Sequence, residues 1–176
     1  MKLIKLSTLI ICLLIFFSCT NKKIESNKNI HSSVNQSFSD LNKLDTFKID
    51  LEGTKPNEMV LLFKIINHEG KEIYNAKIKG TDVIADTDPN LDLTKEKTQI
   101  AFLKTITDEF FGDDDFLEPA VMPDDVADNN VPDKAFYEQL KKTGLNGFKY
   151  RIGKEKNFYI AWDDLNKKVK VYYSCC

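Results

Sequence analysis

Alternating apolar residues towards both ends of the chain, with a helical period between them, predict an α+β fold in a single domain. Its strands form two antiparallel blocks, about three strands each, flanking two helices and a long acidic loop. Three observations carry this. Phe47, Ile49 and Leu51 alternate with polar residues, and Tyr74, Ala76 and Ile78 do so again. Phe102, Leu103, Ile106 and Phe110 share one face of a 3.6-residue period. Phe148, Tyr150 and Ile152 then restore strict alternation up to the end of the chain.

In chain order, residues 47–51 read as a half-buried strand and Gly53 to Asn57 as a turn. Met59 to Ile66 is nearly all apolar, which predicts a strand covered on both faces. His68-Glu69-Gly70 turns the chain, residues 74–78 form the next strand, and Val83 to Ala85 suggest another short one. The first helix starts near Thr94, with Asp92 or Thr94 as its cap and Gly112 placed to end it. Residues 112–133 form the loop, which holds Pro119, Pro123 and Pro132. The second helix runs from about Asp133 to Lys142, buries Phe136, Tyr137 and Leu140, and stops at Gly144. Strands around Tyr150, Ile160 and Val171 close the chain through short turns, hence an antiparallel meander.

Ahead of this domain lies a different kind of segment. Lys2 and Lys5 precede an apolar run from Leu6 to Phe17, too short for a helix to cross a bilayer of about 30 Å. Phe16-Phe17-Ser18-Cys19 follows, then polar Thr20-Asn21-Lys22-Lys23. This pattern resembles the signal peptide and lipobox of bacterial lipoproteins. The resemblance implies removal of residues 1–18 and a lipidated Cys19, with acyl chains as the contact with the membrane. Thr20, where inner-membrane retention would use Asp, implies the outer membrane more than the inner. Residues 19–44 are rich in Asn, Ser and Lys and read as a flexible tether, leaving residues 45–176 as the domain. An ordinary secretory signal with an incidental cysteine, or an uncleaved anchor, is the alternative.

The whole chain has a net charge of −2, without the basic excess of a nucleic-acid binder. Charge is nonetheless segregated. From Asp82 to Asp133, 15 acidic residues face three lysines; from Lys134 onward, 10 basic residues face four acidic ones. Asp113, Asp114, Asp115, Asp124 and Asp125 are therefore candidate contacts for a basic protein partner. Alternatively, this loop folds over the basic strands and neutralises them.

Asp86, Asp88, Asn90 and Asp92 place oxygen ligands at alternate positions before a helix. This is similar to the start of an EF-hand-like calcium loop, and the resemblance implies Ca²⁺ as a possible ligand. Leu91 and Lys97 occupy the positions of the loop's Gly and bidentate Glu, so a polar loop leading into a helix is the alternative. Cys175 and Cys176 form a terminal thiol pair, open to a reduced state, a vicinal disulfide or intermolecular bridging. The aromatics of the final strands, Trp162 and Tyr173 among them, either face a partner or lie under the helices.

Within residues 45–176 the only serine is Ser174, the only histidine His68 and the only arginine Arg151. No nucleophile elbow and no phosphate-binding Gly-rich loop is present. The expectation is a non-catalytic binding domain on a lipid anchor, with carboxylate-based hydrolysis as the enzymatic alternative. Two further readings are an immunity-type protein that neutralises an antibacterial toxin and a cation-dependent carbohydrate or peptide binder.

Overall fold

A computed structural model describes residues 30–88, 90–154 and 156–175. The expected signal peptide and Cys19 lie outside the described residues, as does Cys176. The fold is α+β, built among the described residues from two four-stranded antiparallel sheets and three α-helices.

Sheet A runs in the order β1 (Ile30–Ser37), β2 (Leu44–Glu52), β3 (Val60–Ile66), β4 (Glu72–Lys79). Its register places Val34 opposite Phe47, Phe47 opposite Ile65 and Ile49 opposite Phe63. One face of β2 and β3 is consequently a continuous apolar layer, with Phe47, Ile49, Leu61, Phe63 and Ile65 fully buried.

β1 corrects the expected tether: by residue 30 the chain is already part of the sheet. Only Ile30 and Val34 give it apolar character, and both pack against the core. Ser32 and Gln36 share their half-buried side while His31, Ser33 and Asn35 face outward. An edge strand needs few apolar side chains because its neighbour's ladder holds it. β3 is a second correction. Its burial alternates, so one face is core and the other is half-covered. Lys64 pairs with Glu72 on that outer face, at 3.2 Å.

Helix α1 (Gly80–Ala85) replaces the strand expected at residues 83–85 and turns Val83 into the core. Helix α2 (Glu96–Asp108) packs across β1 and β2, with Leu103 fully buried. Its caps differ from expectation. Lys95 is the N-cap residue and supplies no side-chain bond, while the Asp92 carboxylate accepts the Thr94 hydroxyl and N–H instead. The helix ends at Glu109, before Gly112. There Phe110 and Phe111 leave the helical path to meet Phe63 and Phe148, a burial that outweighs another turn of helix.

Sheet B runs β5 (Phe116–Leu117), β6 (Gly147–Ile152), β7 (Lys156–Asp163), β8 (Lys168–Cys175). Phe148 joins the two sheets, its ring 5.2 Å from Phe47 and 5.4 Å from Phe63. Helix α3 (Lys134–Thr143) agrees with the sequence reading: the Asp133 carboxylate caps it through Phe136 N–H, and Gly144 ends it in the left-handed region. With the loop before it, α3 covers the other face of sheet B. Tyr137 meets the Tyr172 ring, Tyr172 donates its hydroxyl to Ala120 O, and Ser174 N–H bonds Asn130 O. Ile160, Ala161, Trp162 and Asp163 are therefore buried in succession along β7. Trp162, Tyr150 and Tyr172 lie under cover, and Phe158, Tyr159 and Tyr173 are half-buried.

Candidate functional site

Three elements leave a gap between the sheets. β4 passes into α1, and α1 delivers Asp86 to the turn between β6 and β7. Gly153 in that turn has φ +67°, and a Cβ there would overlap the Asp86 side chain, so only glycine fits. Asp86 Oδ2 also accepts the Lys154 N–H at 2.9 Å. This contact closes one end of a cleft of about 450 Å³, within the size range of small-ligand sites.

The floor is apolar. Phe102 and Ile106 come from successive turns of α2, Phe110 follows just past its end, and Tyr150 rises from β6. Beneath them the Tyr150 and Tyr74 hydroxyls meet at 2.7 Å. Burial, then the Tyr74 neighbour, pushes the Tyr150 hydroxyl far above its ordinary pKa, so it stays protonated. The rim carries both signs: Asp86, Asp88, Glu109 and Asp115 against Arg151 and Lys154. Lys149 neutralises Asp115 at 3.2 Å. Among the described residues, Glu109 and Arg151 have no ion pair.

The cleft gathers some of the expected site residues and separates others. Asp86, Asp88 and Asp115 line it together. Asn90 and Asp92 do not, because the segment's carboxylates serve local turns. Asp88 accepts Asn90 N–H and Nδ2, and these bonds, the backbone one foremost, hold its carboxyl below the usual range. Asp92 is held low by the Thr94 hydroxyl and N–H. Among the described residues no three acidic, histidine or cysteine groups converge as a metal site would require.

The five acidic residues expected at a partner surface divide between two places. Asp113 and Asp114 are exposed in the turn before β5, and Asp115 is paired there. Asp124 and Asp125 sit in the loop held by α3, where Asp125 accepts Met122 N–H and its carbonyl accepts Lys141 Nζ. Charge balancing between loop and strands extends to Asp133, which binds Lys170 at 2.6 Å.

His68 and Ser174 belong to different sheets. The His68 ring is engaged by Asp45 at Nδ1 (3.4 Å) and Lys43 at Nε2 (3.2 Å). Ser174 lies on β8. Cys175 is a half-buried thiol beside the Tyr159 hydroxyl; its partner in the expected pair lies outside the described residues.

Sequence reasoning located the α2 face but assigned it wholly to the core, and it did not single out Glu109. The helical period shows that Phe102, Ile106 and Phe110 share a stripe; it does not show where the stripe outruns its covering sheet. Arg151 had a usable signal, as the only arginine in the chain. No family model, curated protein or solved structure matches this chain.

Proposed function

We propose that this chain is a lipid-anchored protein of a bacterial cell envelope whose domain works by non-covalent binding in the cleft between α2 and β6. The observation that carries the binding role is the cleft itself: an aromatic floor under a rim with charges of both signs. Such a site offers burial for an apolar body and orientation for a polar end. The anchor rests on Phe16-Phe17-Ser18-Cys19, and several acyl chains make durable attachment.

Two measurements test this. Radioactive palmitate should label the wild type and not Cys19→Ala; equal labelling refutes the anchor. A panel of aromatic acids, amines and short peptides should contain compounds that raise the melting temperature. Thr87→Trp, which fills the cleft from the half-buried segment after α1, should abolish those shifts while leaving the unliganded melting temperature within about 2 °C. Shifts that survive the substitution place the binding elsewhere.

One observation favours the second reading, an immunity-type protein. The loop after β5 exposes Met122 and Val126, the latter 86% accessible, beside Asp124 and Asp125. Lys141, Tyr172 and Tyr173 hold that loop through hydrogen bonds, so its display carries little ordering cost on association. A toxin gene beside this one supports this reading, and its absence counts against it.

A further inference from the structure

We propose that the cleft receives an extended peptide of alternating apolar and basic residues, which adds to sheet B as a strand along the free edge of β6. This rests on the reading of the cleft as the binding site.

The edge follows from the pairing. β7 pairs with β6 along its whole length, Gly147 to Ile152. On the opposite side β5 pairs only with Gly147 and Phe148. Beyond Phe148, among the described residues, no strand takes that side of β6, and no backbone hydrogen bond outside the ladder engages residues 149–152. Asp115, the residue before β5, lines the cleft together with Tyr150 and Arg151, so the cleft lies along this unpaired edge. Four residues of strand span about 13 Å.

An unpaired edge is a template for another chain. Here it has walls that a strand would use. A peptide continuing the line of β5 bonds β6 through alternate backbone groups. Its side chains then alternate between the floor of Phe102, Ile106 and Phe110 and the rim. The rim selects their charge. With Asp115 neutralised by Lys149, three carboxylates remain against Arg151 and Lys154, and Glu109 is unpaired among the described residues, so basic side chains fit better than acidic ones. Lys149 and Arg151 stand on the edge itself and disfavour indiscriminate pairing with neutral strands.

The test uses the full mature chain and three kinds of fluorescein-labelled hexapeptide, read by fluorescence anisotropy at low salt. One alternates valine and lysine, and one alternates valine and glutamate. The third kind repeats the valine–lysine sequence with N-methyl groups on every second amide, prepared in both phases. The lysine peptide should bind at least about tenfold more tightly than the glutamate one, and Glu109→Lys should weaken it about tenfold. One methylated phase should lose binding and the other keep it, because only alternate amides face β6. Hydrogen exchange should show new protection at amides within residues 149–152. Equal binding by both methylated phases, protection elsewhere, or no binding to the folded chain overturns strand addition. If Thr87→Trp still abolishes small-ligand shifts, the cleft remains the binding site and only the peptide assignment falls. If those shifts are also insensitive, both fall.

Discussion

Asp45 is one of the buried charged side chains of the described structure. It is a carboxylate with no solvent exposure, and such a group persists only when its oxygens are matched. Ser39 N–H donates to Oδ2 at 2.6 Å, His68 N–H to Oδ1 at 2.8 Å, and the His68 ring lies at 3.4 Å. One residue thereby ties the β1–β2 connection to the β3–β4 turn. Asp45→Ala leaves two backbone donors without an acceptor and should cost about 2–3 kcal/mol in urea unfolding. Asp124→Ala, on the exposed loop, should stay within about 0.5 kcal/mol. Nothing in the sequence around Asp45 announces this. It reads as one more polar residue before a strand, because its partners lie 6 and 23 positions away.

The junction of α3 with sheet B turns on Lys170. Its ammonium bonds Asp133, the cap of α3, and Asp163 at the end of β7, and it sits 4.6 Å over the Phe136 ring. The Lys170 bond, then Phe136 N–H, holds the Asp133 carboxyl below its ordinary pKa. Burial works to raise Asp163, but bonds from Asn166 and Lys170 outweigh it and leave that carboxyl low as well. Lys170 is raised in turn, first by Asp133. The depressed carboxyls stabilise the fold above an unfolded pKa of about 3.9 and cease to as pH falls through their folded values. The raised lysine stabilises it below about 10.4 and ceases to as pH rises through its folded value. Lys170→Met should therefore lower stability at pH 7 by about 1–3 kcal/mol, and its stability should fall less steeply from pH 5 to pH 3. An unchanged acid slope would refute the role of this bridge. Half of this junction was legible in advance. Asp133 before Phe136-Tyr137-Leu140 and Gly144 after them mark a helix through local chemistry alone. The bridge to Lys170 spans 37 positions and required the fold.

For the whole molecule the consequential element is β1. A chain beginning at residue 44 loses the partner of β2 and the cover from Ile30 and Val34, so it should be destabilised by more than about 3 kcal/mol and prone to association through the bared edge. A chain beginning at residue 30 should unfold at the full-length midpoint, and equal midpoints for both truncations would show that β1 contributes nothing. If Cys19 carries lipid as proposed, Ile30 lies eleven positions after it, and a span of about 40 Å is the farthest the sheet can stand from its anchor. The strand blocks, α3 and the meander of β6 to β8 were readable from period, caps and short turns, which are local properties. The resemblance behind the proposed anchor likewise rests on consecutive residues, Phe16 to Cys19. β1 was hidden because an edge strand owes its place to its neighbour's ladder and not to its own polar sequence. The cleft was hidden for a related reason. The α2 stripe is equally apolar where it meets the sheet and where it borders the gap. That difference arises only from how far β5 extends along β6 before Asp115 and Phe111 turn the chain away.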